Sequence, residues 1–98
     1  MKTFRGRISV FGGREVSHEN YKDSIKIGKQ LAEENYLVFC GGGPGVMEAI
    51  SKGVKEGGGT CIGILKGING DEANPFLTLG IPTGIGIGRN VILAYNCD

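Results

Sequence analysis

The sequence predicts an α/β fold in which a parallel sheet is flanked by helices, and three observations support this prediction. Short apolar segments alternate with amphipathic helical segments, a spacing typical of βαβ units with right-handed crossovers. Glycine supplies 19 of the 98 residues, against a usual share of about 7%, and the glycines cluster where apolar segments end. The length suits one small domain, so we treat residues 1–98 as a single domain.

The first half of the chain contains two predicted strand-helix units. Residues 8–11 carry apolar side chains on both faces, as expected for a strand covered on both sides. A helix follows, capped by Ser17 or Asn20, and we expect its residue Gly28 to allow close packing against the sheet. Residues 37–40 form the second predicted strand. After a glycine turn, a second helix begins near Val46 and stops at residues 57–59. The buried stripe of the first helix comprises Tyr21, Ile25, Gly28, Leu31 and Ala32.

The second half continues the same alternation of strands and helices. Residues 60–65 form a third predicted strand, and residues 66–75 form a polar, turn-rich surface loop. Residues 76–82 form a short fourth predicted strand. A second glycine-spaced loop follows at 83–88, and helical character resumes over 89–95. The chain should therefore contain about four strands and three helices.

The turn Gly-Gly-Gly-Pro-Gly at residues 41–45 is the most informative motif. The amino terminus of a helix presents unpaired N–H groups and a partial positive charge, so this turn can hold a phosphate with backbone donors alone. A side chain at Gly42 or Gly43 would obstruct that approach. A tight turn without a ligand is the alternative. The residues predicted to bind phosphate here are Gly41, Gly42, Gly43, Gly45, Val46 and Met47.

Two further loops are predicted to face the same crevice, because the carboxyl ends of parallel strands meet at one edge of a sheet. Arg89 begins the helix after the second of these loops, where a guanidinium can grip a phosphate bidentately, although an ordinary surface arginine is the alternative. Asn90 is either a helix cap or a ligand contact. Together the loops predict a Rossmann-like protein that binds a nucleotide or phosphate. The loops contribute Gly12, Gly13, Thr83 and Gly84.

Composition and motif spacing exclude several other classes of function. A formal net charge of +1, with scattered charges, gives no reason to expect nucleic acid or a membrane surface as a partner. The apolar stretch 8–11 is too short for a signal segment or a membrane span, so we expect a cytoplasmic protein. No Gly-Lys-Ser/Thr follows the triple glycine, and the first turn lacks GxGxxG, so neither a P-loop nor a dinucleotide fingerprint is indicated.

Metal and nucleophile chemistry also find no support in the sequence. The 3 cysteines are widely spaced and accompany 1 histidine, so we expect reduced, mostly buried thiols and no metal site. His18 is interpreted as a surface residue of a polar loop. Glu48, in the first turn of the second helix, either supports the helix dipole or contacts ribose hydroxyls or loop backbone. The serines have no nearby base, and no catalytic residue is assigned.

The linked motifs resemble the lysine decarboxylase-like superfamily, which includes the Lonely Guy phosphoribohydrolases and the molybdenum cofactor carrier proteins. The resemblance rests on residues 41–49, 57–65, 74–75 and 83–90 and covers nearly the whole chain. The sequence is most similar to a prokaryotic branch related to the carrier proteins. The resemblance implies that residues 41–47 and Arg89 bind the phosphate of a nucleoside 5′-monophosphate. In a carrier module, the crevice would hold a phosphorylated pterin.

One part of the superfamily pattern does not occur in this sequence. Phosphoribohydrolases carry Pro-Gly-Gly-x-Gly-Thr-x-x-Glu, whose glutamate contributes to cleavage of the N-glycosidic bond, and residues 1–98 contain no such motif. Binding without turnover is therefore expected of this chain, and hydrolysis of a nucleoside 5′-monophosphate remains an alternative for a complete domain. The resemblance implies further strands and helices, so we expect an exposed sheet edge and a homo-oligomer.

Overall fold

A computed structural model describes residues 3–98 and confirms the α/β fold. A short 3₁₀ turn at Gly86–Gly88 precedes the last helix. Most predicted elements are present with shifts of one or two residues at their ends, and the fourth strand is shorter than predicted. The elements in chain order are β1 (Gly6–Val10), α1 (His18–Glu33), β2 (Tyr36–Cys40), α2 (Val46–Glu56), β3 (Cys61–Leu65), β4 (Leu79–Pro82) and α3 (Arg89–Tyr95).

The four strands form one parallel sheet in the order β1-β2-β3-β4. Val38 of β2 stands beside Ile8 of β1 on one side and Cys61 of β3 on the other. Gly63 of β3 pairs with Gly80 of β4. Because all the strands run in one direction, the loops after β1, β2 and β4 leave from the same edge of the sheet.

The two faces of the sheet are covered by different helices. Helices α1 and α2 cover the face that carries the alternating side chains of Val38, Cys40 and Cys61. Helix α3 covers the opposite face, where Leu93 packs with Phe39 and Ile64. Within residues 3–98, no helix is long and apolar enough to cross a membrane.

Local hydrogen bonds explain where the first helix starts. Ser17 caps α1, because its hydroxyl accepts a hydrogen bond from the N–H of Asn20 at 3.1 Å. His18 is therefore the first helical residue, and the prediction of a loop at this position was wrong. Its exposure at the surface agrees with the interpretation of His18 as a surface residue.

Contact between α1 and α2 depends on two glycines that let the helix backbones approach closely. An added Cβ at Gly28 would collide with the carbonyl oxygen of Ile50 in α2. At Gly53, an added Cβ would collide with the carbonyl oxygen of Ile25 in α1. The expectation that Gly28 packs against the sheet was therefore wrong, since this glycine faces the neighbouring helix.

The edge strands lie in different surroundings. On β4, Leu79 and Ile81 are exposed to solvent. At the outer side of β1, the N–H of Asp98 donates to the carbonyl of Arg7 at 3.0 Å, and the N–H of Arg7 donates to the Asp98 carboxylate at 2.8 Å. The last residue of the sequence thus lies along β1.

The glycine contact between the helices can be tested with Gly53→Ala. Alanine favours a helix by about 1 kcal/mol over glycine, but overpacking of a close contact costs about 1–3 kcal/mol. We expect Gly53→Ala to lower the free energy of unfolding in urea. The control is Gly70→Ala, because no atom lies within 4 Å of its added Cβ. A Gly53→Ala variant as stable as the control would contradict the close approach.

Candidate functional site

A cleft of about 120 Å³ opens where β1 and β2 end. Drug-sized ligands fill pockets of about 300–1,000 Å³, so this cleft suits a phosphate or one end of a larger ligand. Met47 and Leu93 are buried and form its floor with Val10. The remaining lining residues are Phe11, Gly12, Gly41, Arg89 and Asn90.

Arg89 connects the start of α3 to the ends of two strands. Its Nη1 donates to the carbonyl oxygens of Gly41, at 2.7 Å, and Ile64, at 2.9 Å. Its Nε donates to the Oδ1 of Asn90 at 2.8 Å. A guanidinium has five N–H donors, and no residue in the described chain accepts from Nη2 of Arg89. The side chain is therefore held in place with two N–H donors unused.

Asn90 supports Arg89 and does not cap the helix. The residue at the N-cap of α3 is Gly88, and no side chain caps this helix. The Oδ1 of Asn90 accepts the hydrogen bond from Arg89 Nε, which leaves its amide nitrogen as the group available at the cleft wall. The helix-cap alternative was therefore wrong.

Two glycines beside the cleft leave space that neighbouring side chains occupy. An added Cβ on Gly41 would lie 2.5 Å from Nη1 of Arg89 and 2.6 Å from Sδ of Met47. An added Cβ on Gly12 would lie 2.5 Å from Cβ of Val46. Real Cβ atoms do not approach other atoms this closely. Both glycines therefore let the cleft walls pack tightly.

Gly42 faces the protein interior, and Gly45 faces the loop after β1. Gly42 has a φ of 77°, and an added Cβ there would collide with Leu65. The N–H of Gly42 donates to Sγ of Cys40 at 3.4 Å. Gly45, with a φ of 75°, lies against the carbonyl of Gly13. Packing within the protein accounts for glycine at 42, whereas we had attributed it to ligand clearance.

Several backbone donors remain unpaired at the start of α2. The N–H of Val46 is already used, because it donates to the carbonyl of Gly13 at 3.1 Å. Among residues 3–98, no acceptor is present for the N–H groups of Gly43, Gly45, Met47 and Glu48. These groups and the helix dipole make the surroundings of the turn favourable for an anion.

Arg14 is a second cation at this turn, and the sequence reasoning did not select it. Its Nη1 lies 4.0 Å from the position that a Cβ on Gly43 would occupy. Arg14 has no salt-bridge partner among residues 3–98. The signal that could have identified it is its place directly after Gly12 and Gly13, in the loop that reaches the triple glycine.

Thr83 and Gly84 do not line the cleft. Thr83 donates to the carbonyl of Leu65 from both its N–H, at 3.1 Å, and its hydroxyl, at 2.7 Å. The N–H of Gly84 donates to the carbonyl of Gly67 at 2.8 Å. These contacts hold the end of β4 to the end of β3. Strand β2 lies between this place and β1. The structure thus brings Gly12, Gly41, Met47, Arg89 and Asn90 together and leaves Thr83 and Gly84 apart.

Glu48 is held by the neighbouring helix. The Tyr21 hydroxyl donates to Oε2 of Glu48 at 2.6 Å. Partial burial, together with the hydrogen bond to this carboxylate, raises the pKa of Tyr21 to about 12. The Glu48 carboxylate is thus tied to α1.

A buried polar cluster, formed by Cys40, Ser51, Cys61 and Asn74, lies beneath the triple glycine. Sγ of Cys40 and Sγ of Cys61 are 3.9 Å apart, and both cysteines are free thiols, as predicted. The hydrogen bond from Cys61 lowers the pKa of Cys40, while the same pairing and burial raise the pKa of Cys61. No group of three or more metal-ligating side chains is found in residues 3–98.

Asn74 holds the triple glycine from below. Its Nδ2 donates to the carbonyls of Gly42, at 3.2 Å, and Gly43, at 3.1 Å, and lies 3.3 Å from Oγ of Ser51. The Asn74 Oδ1 accepts the N–H of Phe76 at 3.0 Å. With 7% of its surface exposed, this side chain is a buried support of the loop.

Asn74→Ala is expected to destabilise the protein. It removes the Nδ2 donor of the buried Gly43 carbonyl and one of two donors to the Gly42 carbonyl, which keeps the Asn74 N–H at 2.8 Å. The expected cost is roughly 1–3 kcal/mol in the free energy of unfolding. Thermal or urea unfolding measures the change. Asn69→Ala is the matched control, since Asn69 is exposed and makes one local hydrogen bond to the N–H of Asp71. Equal stability of the two variants would show that Asn74 does not support the loop.

Comparison with known proteins identifies relatives over nearly the whole chain. An uncharacterized protein of Archaeoglobus fulgidus is 37% identical over 92 residues, which make up 94% of this chain and 60% of that protein. A molybdenum cofactor binding protein from the phototrophic bacterium Rippkaea orientalis superposes with a TM-score of 0.91 at 30% identity, covering 99% of this chain and 61% of that one.

A molybdenum cofactor carrier protein from Chlamydomonas reinhardtii also superposes, with a TM-score of 0.75 at 30% identity over 93% of this chain and 56% of that one. The chain thus spans about 60% of the length of these relatives. The matches confirm the resemblance to the superfamily that contains the carrier proteins. The model of the SLOG cluster4 family matches residues 5–98, and the chain therefore belongs to the SLOG cluster4 family.

Proposed function

We propose that this protein binds a small phosphorylated ligand with its phosphate in the cleft beside Arg89. The observation that carries the proposal is the state of the guanidinium. Three of its N–H donors are used by Gly41, Ile64 and Asn90, while Nη2 has no acceptor within residues 3–98. A fixed guanidinium with a free edge is suited to charge-assisted hydrogen bonds with phosphate oxygens.

Neighbouring groups support an anion at this place. The unpaired N–H groups at the start of α2 and the side chain of Arg14 add positive potential on the same side of the molecule. With a formal net charge of +1, attraction has to come from such local groups. Thr83 and Gly84 are not part of the proposed site, because both residues lie beside β3.

Two classes of ligand fit the proposal. A nucleoside 5′-monophosphate is suggested by the resemblance to phosphoribohydrolases. A phosphorylated pterin of the molybdenum cofactor type is favoured by the two solved structures, which are named for binding or carrying that cofactor. Both ligands place a heteroaromatic ring at some distance from a phosphate, and the small cleft has room for the phosphate end.

Binding without turnover is the activity we infer. The residues that line the cleft include no carboxylate, and the carboxylate of Glu48 is engaged by Tyr21. Hydrolysis of a nucleoside 5′-monophosphate needs a group to assist departure of the base. We therefore expect chromatography of AMP incubated with this chain to show no free adenine.

Isothermal titration of AMP on Arg89→Gln tests the proposal. Hydrogen bonds to charged groups contribute about 1.5–3 kcal/mol each, so affinity should fall by roughly 10- to 150-fold. Circular dichroism of the same sample checks that the variant is folded. Arg89→Lys keeps the charge and should retain intermediate affinity.

The control for this test is Arg5→Gln. Arg5 lies just before β1, at the opposite edge of the sheet, with its guanidinium over the ring of Tyr36. Its loss should leave AMP affinity unchanged. Wild-type protein that binds neither AMP nor inorganic phosphate would rule out the proposed function, as would a folded Arg89→Gln variant with wild-type affinity.

We also infer that the protein forms a homo-oligomer through apolar residues around β4. Ile68 and Ile87 are 87% and 83% exposed, and Leu79 on β4 is exposed as well. Soluble monomers rarely expose large apolar patches, and a second copy of the same chain is the commonest partner of such a surface.

Light scattering of the wild type and of Ile87→Glu tests this inference. The wild type should have at least twice the monomer mass, and Ile87→Glu should shift toward the monomer because it places a charge in the contact. Ile27→Glu is the control, since Ile27 is an exposed apolar residue on α1. A monomeric wild type would contradict the inference.

We infer that the protein is cytoplasmic. This inference is supported by the thiols of Cys40, Cys61 and Cys97, all of which are free. Proteins of oxidising compartments commonly pair their cysteines in disulfides, whereas those of the cytoplasm keep them reduced. The sulfur atoms of the buried Cys40 and Cys61 are 3.9 Å apart, which is the separation of two unbonded thiols.

A further inference from the structure

We propose that Phe11 is the surface on which the heteroaromatic ring of the ligand stacks. This inference rests on the proposed function and adds the part of the ligand that the phosphate contacts do not recognise. Phe11 directly follows β1 and lines the cleft together with Gly12, Arg89 and Asn90. Its side chain is 56% exposed, although it belongs to one of the most apolar residue types.

The surroundings of other phenylalanines show why this exposure is informative. Phe39, one strand away, is 8% exposed and packs in the core against α3. Phe76 is half-buried, and Nζ of Lys52 lies 5.7 Å from the centre of its ring. Among the residues that line the cleft, Phe11 alone is aromatic. Its ring therefore combines exposure with a place at the candidate site.

The backbone around Phe11 is held, so the ring is presented from a fixed position. Val10 is the last residue of β1 and pairs with Cys40 of β2. Gly12 lies so close to Val46 that an added Cβ would be 2.5 Å from the valine Cβ. A backbone held on both sides of Phe11 has little conformational freedom to lose when a ligand binds, which favours affinity.

The small size of the cleft also supports a position of the ligand's ring beside Phe11. At about 120 Å³ the cleft accommodates a phosphate, so the ring of a nucleotide or pterin has to lie at its mouth. An exposed aromatic ring there offers a flat apolar face. Stacking of a base on an aromatic side chain contributes about 1–3 kcal/mol by alanine substitution, which corresponds to roughly 5- to 150-fold in affinity.

Asn90 complements this face at the cleft wall. Its Oδ1 is occupied by Arg89, so its amide nitrogen is the group left to donate a hydrogen bond. Purines and pterins carry acceptor atoms on their ring edges, and a donor beside a stacking face suits both. The class of ligand implied is a planar heteroaromatic ring joined to a phosphate by a short linker.

The test compares AMP with ribose 5-phosphate, which has the same phosphate and sugar but no heteroaromatic base. Isothermal titration on the wild type should show AMP binding roughly 5- to 150-fold more tightly. Phe11→Leu should reduce this difference, because only the Asn90 contact with the ring would remain, and should leave the affinity for ribose 5-phosphate unchanged. Phe11→Tyr should keep it, since the aromatic face remains. Tyr95→Leu, an exposed aromatic residue away from the cleft, is the control.

A second arm replaces AMP by the phosphate ester of 6-hydroxymethylpterin. The ligand that loses more affinity in Phe11→Leu identifies which ring the site prefers, and a loss with either ring supports stacking. Ribose 5-phosphate binding serves as the internal check that the phosphate site of each variant is intact.

The possible failures are distinguishable. If ribose 5-phosphate binds and Phe11→Leu leaves AMP and pterin affinity unchanged, the stacking role is overturned and the phosphate site stands. If Phe11→Leu weakens ribose 5-phosphate as much as AMP, Phe11 maintains the shape of the cleft, and stacking is again overturned. If the wild type binds none of the three compounds, the proposed function fails and the stacking role fails with it.

Discussion

The guanidinium of Arg89 is the contact on which the candidate site depends. It ties the start of α3 to the carbonyl of Gly41 at the end of β2 and to that of Ile64 in β3. A Cβ on residue 41 would lie 2.5 Å from Nη1, so a side chain there would displace the guanidinium. The position of α3, the first residue of the triple glycine and one wall of the cleft therefore follow from the reach of one side chain.

Hydrogen bonds from the buried side chain of Asn74 also hold the triple glycine in place. Asn74 donates to the carbonyls of Gly42 and Gly43 from a loop more than thirty residues further along the chain, and Ser51 connects Asn74 to the start of α2. The turn is thus held on one side by Asn74, in the loop between β3 and β4, and on the other side by Arg89 at the start of α3. A site ordered before its ligand arrives avoids much of the entropic cost of binding.

The sequence predicted the parts of this arrangement that are local. The triple glycine before an apolar helix indicated α2, and an isolated arginine in an apolar stretch indicated Arg89 at a helix start. Contacts that depend on strand order could not be predicted. A parallel sheet determines which edge the loops share, but not that β4 lies far from β1, and so Thr83 and Gly84 were wrongly expected at the crevice. Gly28 was misassigned because a helical stripe does not show whether it faces a strand or another helix.

The glycines of the turn at residues 41–45 have different roles. Gly41 makes room for Arg89, Gly42 turns inward against Leu65, and Gly45 adopts a positive φ beside Gly13. Each of these needs would exist in a tight turn that binds nothing, so the glycine pattern alone does not distinguish a binding loop from a packed one. The proposed phosphate site therefore rests on the guanidinium of Arg89, because packing explains its Nη1 contacts but gives Nη2 no partner in the described chain.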